Sequence, residues 1–425
     1  MYLALLAAAA LLQQQPLTCP SRDTNCKEVA AVVADRRVQR ALSYIEQTDA
    51  NAQRELIALT QIPAPPFKES ERARRYVELM RAAGADSVDV DAVGNVVAIR
   101  RGLRRTRTVA VAGHMDTVFP EGTDVRVRQH GDTLFAPGIG DNSRGMIVLL
   151  QILRAMVRTN LRTDADLWFV GTVGEEGLGD VRGAKYLFRA GAPRIDSFIA
   201  VDGGDDETIT NAAVGSKRYR VSYSGPGGHS WGSFGAGNPI HALAHAIALF
   251  DDAAERFTAY GPTTTYNVGR IGGGTSVNAI PTQAWAEIDM RSVNAARLEG
   301  LDSLFHVMVA DALNQENQHR TSGPELTLEA ALVGERPLGV TPTSTPLVQH
   351  AVAATRAIGL TPRLDESSSD ANVAIAHGVP AVTVGRGGIS GNGHSPDEWW
   401  LNSNGTRGIR HVLYLLLAEA GLPAR

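Results

Sequence analysis

The stretch VAVAGHMD, residues 109–116, decides the fold class of this 425-residue chain. Its first four residues are apolar, which predicts a buried strand, and this strand leads directly into His114 and Asp116. Residues two apart on an extended chain point to the same side, so the imidazole and the carboxylate would share a face. Such a pair suits a metal-binding histidine that a carboxylate orients. The alternative is a histidine that only satisfies its own hydrogen bonds at a strand end.

Four other segments place a carboxylate or a histidine after a short apolar or glycine-rich run. These segments end in Asp141, in the adjacent Glu175 and Glu176, in Asp202, and in His394. Neighbours on an extended chain point to opposite sides, so one glutamate can bind a metal while the other faces a substrate water. Buried carboxylates are costly unless they are paired or coordinated, which favours a functional site. Taken alone, Asp141 is also explained as a turn or helix-entry carboxylate.

Short strands alternate with helices around these segments. The apolar patterns predict strands over 96–99, 109–112, 167–170, 198–201 and 381–384, and helices over 146–157, 347–358 and 408–420. This alternation predicts an α/β fold, with a mostly parallel sheet covered by helices on both faces. Ligands bind at the carboxyl edge of such sheets, so the polar side chains would meet there.

The pattern changes after residue 215, where alternating strands over 218–223, 265–271 and 284–291 accompany helices over 239–257 and 295–316. We interpret this stretch as an α+β domain inserted into the α/β domain. The expected organisation is a signal peptide and N-terminal segment, two parts of a catalytic domain, and an inserted domain between them. The signal peptide and N-terminal segment would cover residues 1–26. The two catalytic parts would cover 27–214 and 334–425, and the inserted domain would cover 215–333.

Composition is that of a globular protein and excludes several partners. The 41 Lys and Arg residues against 45 Asp and Glu give a net charge of −4, and no long basic run is present, so we expect no nucleic-acid partner. The apolar run over residues 2–12 has the length of a signal-peptide core and is too short to span a bilayer, so we expect no membrane partner. The protein would be exported, periplasmic or secreted, where Cys19 and Cys26 could pair. A cytoplasmic protein with an N-terminal helix is the alternative.

Two histidines and three carboxylates are enough to hold two divalent metal ions at the separation of about 3.5 to 4 Å found in two-metal hydrolases. Histidine and carboxylate ligands without thiolates favour zinc, with manganese or cobalt as alternatives. One glutamate then remains free to act as a base.

In order, spacing and strand-end context, these residues resemble metallopeptidase family twenty, which includes tripeptidase T, carnosine-type dipeptidases, glutamate carboxypeptidase, aminoacylase and succinyl-diaminopimelate desuccinylase. The resemblance covers residues 40–417. It implies that Glu175 is the general base and that Asp116 orients His114. It implies a cis peptide bond between Asp141 and Asn142. It also implies two metal sites that share one carboxylate, the first formed by His114, Asp141 and Asp202 and the second by Asp141, Glu176 and His394.

The family resemblance further implies that the inserted lid domain forms a homodimer. The segment 227–230 matches a lid histidine, His229, that reaches the partner subunit's site and polarises the scissile carbonyl. Without the resemblance, His229 would be a solvated loop histidine. The segments 273–278 and 289–291 resemble lid segments that hold polar groups of the substrate, here through Asn278 and Arg291. Arg291 could equally pair with Asp289 on the same strand.

Together these features predict a two-metal exopeptidase that hydrolyses short peptides from a free N-terminus, of the aminopeptidase, dipeptidase or tripeptidase type. Asp202 favours this branch, because acylase-like and carboxypeptidase-like relatives usually carry Glu at that position. The alternative is an N-acyl amino-acid amidohydrolase or a carboxypeptidase on the same scaffold. A catalytically silent binding protein is more remote, because a structural metal site has no need of Glu175 as an unligated acid.

Overall fold

The computed structural model describes residues 17–423 of the chain. The apolar opening on which the signal-peptide prediction rests lies outside these residues. The helices are α1 (Thr24–Ala34), α2 (Arg36–Gln47), α3 (Asp49–Thr60), α4 (Ser70–Ala83), α5 (Gly145–Arg158), α6 (Arg182–Leu187), α7 (Pro239–Thr258), α8 (Ala295–His319), α9 (Pro346–Ala357), α10 (Ala371–Ala376) and α11 (Gly405–Ala420). Within the described part of the chain, no helix combines the length and the apolar character that crossing a bilayer requires.

A nine-stranded sheet forms the centre of the molecule. Its spatial order is β1 (Ser87–Val90), β2 (Val96–Arg100), β6 (Asp166–Thr172), β3 (Thr108–His114), β7 (Ser197–Gly203), β17 (Ala381–Gly385), β8 (Thr208–Ala213) and β15 (Gly339–Val340), and β16 (Arg363–Ser367) also pairs with β8. The central pairings β6–β3, β3–β7 and β7–β17 are parallel. Those of β1 with β2, β2 with β6, and β8 with β17 and β15 are antiparallel. The predicted parallel sheet is confirmed at the centre, and its antiparallel outer strands make the sheet mixed.

Helices cover both faces of this sheet, as the sequence predicted. Along β3, Val109 and Val111 join the large apolar core that also contains residues of α5 and α11. The intervening Ala110 and Ala112 face the opposite way and pack in a second cluster with residues of α10. This alternation follows from the period of two along a strand, and it explains why β3 is apolar on every residue of its central stretch.

The inserted α+β unit is a four-stranded antiparallel sheet in the order β11 (Thr264–Gly273), β13 (Gln283–Ser292), β9 (Gly215–Ser224) and β14 (Thr327–Arg336). Helices α7 and α8 pack on this sheet and form a separate apolar core. Both helices begin with an asparagine cap: the side chain of Asn238 accepts from the amide of Ile240, and that of Asn294 from the amide of Arg297. The boundary placed after residue 333 lies inside β14.

Two small sheets complete the structure. The first contains β18 (Ile389–Gly391), β19 (Trp399–Leu401), β5 (Thr133–Phe135) and β4 (Arg128–His130), and the second pairs β10 (Gly228–His229) with β12 (Ala279–Ile280). Near the start of the described chain, a disulfide bond joins Cys19 to Cys26 in the first turn of α1.

Candidate metal centre and active site

Strand ends at one edge of the central sheet bring the candidate ligands together. His114 is the last residue of β3, Asp202 lies near the end of β7, and Glu175 and Glu176 follow β6. These three strands are parallel neighbours, so their carboxyl ends meet at the same edge. Asp141 comes from the irregular turn Ile139–Arg144 that precedes α5. The ligand position predicted for His394 lies in the loop between β18 and β19.

The five side chains form two groups that share Asp141. In the first group, His114 Nε2 lies 3.1 Å from Asp141 Oδ1 and 3.4 Å from Asp202 Oδ1. In the second group, His394 Nε2 lies 3.3 Å from Asp141 Oδ2 and 3.1 Å from Glu176 Oε1. Within each group the candidate ligand atoms all lie within 4.8 Å of one another. Asp141 therefore turns one oxygen to each group, and this donor set fits two divalent ions bridged by one carboxylate.

His114 is almost fully buried, and its hydrogen bond selects the ring nitrogen that is free for a metal. Its Nδ1 lies 3.0 Å from the backbone oxygen of Asp116 and 3.7 Å from Asp116 Oδ1. Because a backbone carbonyl only accepts, Nδ1 donates to it, which leaves Nε2 as the nitrogen that would bind a metal. The closer partner of the ring is thus the backbone of residue 116 and not its carboxylate.

The carboxylate of Asp116 instead holds the loop that carries the two glutamates. Its Oδ1 accepts the amide of Glu175 at 3.0 Å, and its Oδ2 accepts the amide of Glu176 at 2.8 Å. The side chain of Asp116 is fully buried, so these bonds form in a low-dielectric interior where they are strong. Asp116 therefore positions ligands of both metal groups.

A second buried carboxylate, that of Glu398, holds the turn that carries Asp141. Glu398 accepts the amides of Gly138, Gly140 and Asp141, each at 2.8 Å. The peptide bond between Asp141 and Asn142 is cis, which confirms the expectation from the sequence. Glu398 is the residue that fixes the bridging ligand from outside the ligand set.

Glu175 lines the same cavity, has a carboxylate oxygen within 4.8 Å of candidate ligand atoms of His114 and Glu176, and forms a buried ion pair. Arg336 Nη1 donates to Glu175 Oε1 at 2.7 Å and to Ser368 Oγ at 3.0 Å. Burial raises the pKa of Glu175 to about 8, and the adjacent Glu176 acts in the same direction, while the Arg336 guanidinium opposes the shift. Arg336 is the last residue of β14, so a strand of the inserted unit reaches the candidate base.

Sequence reasoning missed two arginines of this site. Arg336 comes from a strand that the sequence analysis did not predict. Arg386 directly follows β17, and the sequence analysis did not single it out as a site residue. Its Nη1 lies 3.2 Å from Asp141 Oδ1 and 3.1 Å from Asp202 Oδ1. A basic residue within a loop that ends a buried strand was the one available signal.

The ligand groups open into a cavity of about 410 Å³, a size that suits a small substrate. The inserted unit contributes Arg218 and Arg291 to the lining of this cavity. Both arginines hold Asp289: Arg218 Nε lies 2.8 Å from Oδ1 and Arg291 Nε lies 2.6 Å from Oδ2. Arg291 therefore forms the expected pair with Asp289 and also lines the cavity, and its contact with a substrate stays a prediction.

Two candidate residues lie outside this cavity. His229 is exposed on β10, and its Nδ1 accepts the amides of Trp231 and Gly232 at 3.2 and 3.3 Å. Asn278 is also exposed, and its Oδ1 accepts the hydroxyl of Ser276 at 2.7 Å. The cavity lining contains neither residue. A single chain does not bring His229 or Asn278 to the ligand groups.

Comparison with known sequences finds one family and several relatives. The family model described as peptidase family M20/M25/M40 matches residues 110–418, which is more than half of the chain. The uncharacterized protein YqjE of Bacillus subtilis is 25% identical over 355 residues, which cover 78% of this chain and 89% of that protein. A succinyl-diaminopimelate desuccinylase of Leptothrix cholodnii is 28% identical over 237 residues, which cover 51% of this chain and 60% of the relative.

Solved structures share the whole architecture. Aminopeptidase PepT from Bacillus cereus superposes with a TM-score of 0.66 at 22% identity, covering 88% of this chain and 99% of its own. The di-peptidase Dug1p from Saccharomyces cerevisiae gives a TM-score of 0.71 at 15% identity, with coverages of 91% and 99%. Human carnosine dipeptidase 1 gives 0.68 at 12% identity, with coverages of 90% and 99%. At these identities the likeness establishes the fold.

Proposed function

The chain belongs to peptidase family M20/M25/M40, and from this premise we propose that it is a two-metal exopeptidase that hydrolyses short peptides from a free N-terminus. The observation that carries the proposal is the pair of His/carboxylate groups that share Asp141 and open into a small cavity. A cavity of about 410 Å³ holds a few residues and no folded chain. PepT, Dug1p and carnosine dipeptidase 1, which share the fold, are named as an aminopeptidase, a di-peptidase and a dipeptidase.

Each group of residues has a role in this reaction. Two divalent ions, for which we propose zinc, would polarise the scissile carbonyl and lower the pKa of the attacking water when bound. Glu175 takes a proton from that water and passes it to the leaving amine. Arg336 engages Oε1 of this carboxylate, so we assign the proton transfer to Oε2. Arg218 and Arg291 line the same cavity, where a peptide carboxylate is their natural partner.

We propose further that the inserted unit forms a homodimer in which His229 reaches the site of the partner subunit and stabilises the developing oxyanion. Exposed apolar side chains surround His229: Trp231 is 88% exposed and Phe234 is 86% exposed. Val277, next to Asn278, is fully exposed as well. An apolar patch of this kind on a soluble protein marks an interaction surface.

We also propose that the protein is exported to the periplasm or secreted. The apolar opening of the sequence supports this, and so does the disulfide bond between Cys19 and Cys26, because disulfides persist in oxidising compartments.

The proposed substrate preference is tested with trialanine and N-acetyltrialanine. Acetylation removes the positive charge of the amine and adds bulk where the carboxylate groups close the cavity. We expect kcat/KM to fall by at least about 10²-fold, or about 2.7 kcal/mol. The Glu175→Gln variant, assayed in parallel, corrects for contaminating peptidases. Faster cleavage of the acetylated peptide would overturn this assignment in favour of an amidohydrolase, the activity for which the Leptothrix relative is named.

A further inference from the structure

The guanidinium of Arg386 contacts the same carboxylate oxygens that would bind a metal ion at the first position, formed by His114, Asp141 and Asp202. Its Nη1 contacts Asp141 Oδ1 at 3.2 Å and Asp202 Oδ1 at 3.1 Å. His114 Nε2 faces these same two oxygens at 3.1 and 3.4 Å. A cation of this chain thus contacts two of the three ligand atoms of the position that a divalent ion would take.

The backbone around Arg386 leaves it little freedom to move away. A Cβ atom on Gly385 would come within 2.2 Å of the backbone oxygen of Asp205, and one on Gly387 would come within 2.4 Å of the backbone oxygen of Gly405. Close packing therefore fixes the chain on both sides of the arginine. The carbonyl of Arg386 also accepts from Nε of the buried Arg144 at 3.0 Å. Only rotation of its side chain can withdraw the guanidinium.

The second metal position has a different environment. Within residues 17–423, Glu176 forms no ion pair with a lysine or an arginine, and its charged partner is His394. The side chain of His394 is 57% exposed, whereas that of His114 is 1% exposed. The position at His394 is thus open to solvent, and Arg386 contacts only its shared ligand Asp141, through Oδ1 and not through the Oδ2 that faces His394. The position at His114 is buried, and Arg386 contacts the oxygens of both its carboxylates.

We propose that Arg386 makes the two metal positions unequal, so that an ion binds first and more tightly at the His394 position. Binding at the His114 position then requires the guanidinium to leave Asp141 and Asp202. This step has a cost, because two like charges repel at short range in a medium of low dielectric constant and because a buried guanidinium without a partner is unfavourable. The inference rests on the metal centre of the proposed function but involves no substrate.

The test is a titration of the metal-free, full-length protein with Zn²⁺ by calorimetry, with bound zinc counted by elemental analysis. We expect two binding events whose affinities differ by at least about tenfold, the scale on which groups next to metal ligands act. His114→Ala should keep the tighter event, and His394→Ala should lose it. Two events of equal affinity would overturn the proposal, as would loss of the tighter event in His114→Ala.

A second set of variants tests the effect of Arg386 on zinc affinity directly. Arg386→Gln should tighten the weaker event by at least about tenfold, and in combination with His394→Ala it should raise the affinity of the remaining position equally. Arg270→Gln is the matched control, because it removes the same charge from an arginine that pairs with Glu287 in the inserted unit. Unchanged or weaker zinc binding in Arg386→Gln contradicts the proposal. If that variant does not fold, the two histidine variants decide alone. All readouts are free of substrate, so the peptide assays can fail or succeed independently.

Discussion

Glu175 shows how the environment of one carboxylate prepares it for proton transfer. It is buried, it bonds to Arg336, and one of its oxygens lies within 4.8 Å of candidate ligand atoms of His114 and Glu176. We expect Glu175→Gln to bind two zinc ions like the native protein and to lose about 10² to 10⁴-fold in kcat, because an amide of the same shape cannot take a proton from water. Zinc content and kcat for trialanine measure the two effects. Near-native turnover at full zinc content would exclude Glu175 as the base.

Glu398 lies outside the candidate ligand groups and holds the turn of Asp141 through three backbone amides. Removing this acceptor leaves buried amides without partners and frees the bridging ligand. We expect Glu398→Ala to weaken zinc binding by about 10 to 100-fold. Asp397→Ala is the control, because the neighbouring Asp397 is 79% exposed. Equal zinc affinity in the two variants would show that Glu398 does not position the ligand.

The ligands were predictable from the sequence at this scale, whereas their partners were not. His114 and Asp202 lie at the ends of apolar strands that pair in parallel at the centre of the sheet, and that local pattern suffices to place them together. Arg336 and Arg386 reach the site through long-range packing, for which a single sequence has no periodic signal. Asp116 was predicted near His114, but only coordinates show that its carboxylate bonds to the glutamate loop.

At the scale of secondary-structure elements, long regular patterns were predicted best. The central strands and the long helices have strong apolar periodicity, and the structure contains them. Strand β14 was missed, because it is an outer strand with exposed alternate residues and a register shift between Leu332 and Gly334, and its alanines and glutamates do not distinguish strand from helix. Strand β8, with the sequence TITNAA, is too short and too polar to be recognised alone.

Helices α9 and α11 are joined by a buried pair that predicts a pH dependence of stability. His350 Nδ1 lies 2.9 Å from Glu419 Oε2, and His350 Nε2 lies 2.7 Å from Glu28 Oε2 on α1. Burial favours the neutral imidazole, but the hydrogen bonds to Glu419 and Glu28 outweigh it and raise the pKa of His350. Burial acts against the charged carboxylate of Glu419 too, yet its bonds to His350 and Ser197 lower the pKa of Glu419.

The pKa shifts of His350 and Glu419 define the pH range in which this pair stabilises the folded protein. The contribution of His350 is complete below the unfolded pKa of about 6.5 and is lost as the pH rises through its higher folded pKa. The contribution of Glu419 is complete above the unfolded pKa of about 4.3 and is lost as the pH falls through its lower folded pKa. We therefore expect His350→Gln to cost about 1.5 to 3 kcal/mol in the free energy of unfolding between about pH 4.3 and 6.5, and less above that range.

Urea denaturation as a function of pH measures this cost, and His411→Gln is the control. His411 is buried on α11, and burial lowers the pKa of His411 to about 4, so it is neutral above pH 6.5 in both states. The cost of His411→Gln should therefore stay constant above that pH. A cost of His350→Gln that also stays constant there would contradict a charged pair.

At the scale of the whole molecule, the inserted α+β unit was predictable because its strand pattern differs from that of the flanking domain. Its proposed role in a homodimer is tested with mixed dimers of Glu175→Gln and His229→Ala subunits, each of which we expect to be inactive alone. If His229 acts across the interface, one of the two sites in each heterodimer has both residues, and about half of the native activity should return. Confirmed heterodimers without activity would place His229 in its own subunit or outside catalysis.

The pairing of β9 with β14 determines how a rotation of the inserted unit would displace its residues. The chain enters the inserted unit at Gly215 and leaves it at Arg336, and Ser216 pairs with both Arg336 and Arg291 across the sheet. An axis of rotation through these two chain crossings would pass close to Arg336 and Arg291. These two arginines would therefore move little if the inserted unit rotated. The far end of β9 lies roughly 27 Å away at the usual rise per residue, and a rotation of about 10° would carry it through roughly 5 Å. A rotation of the inserted unit would therefore leave the arginines that line the cavity nearly in place. It would change the position of His229, which follows the far end of β9.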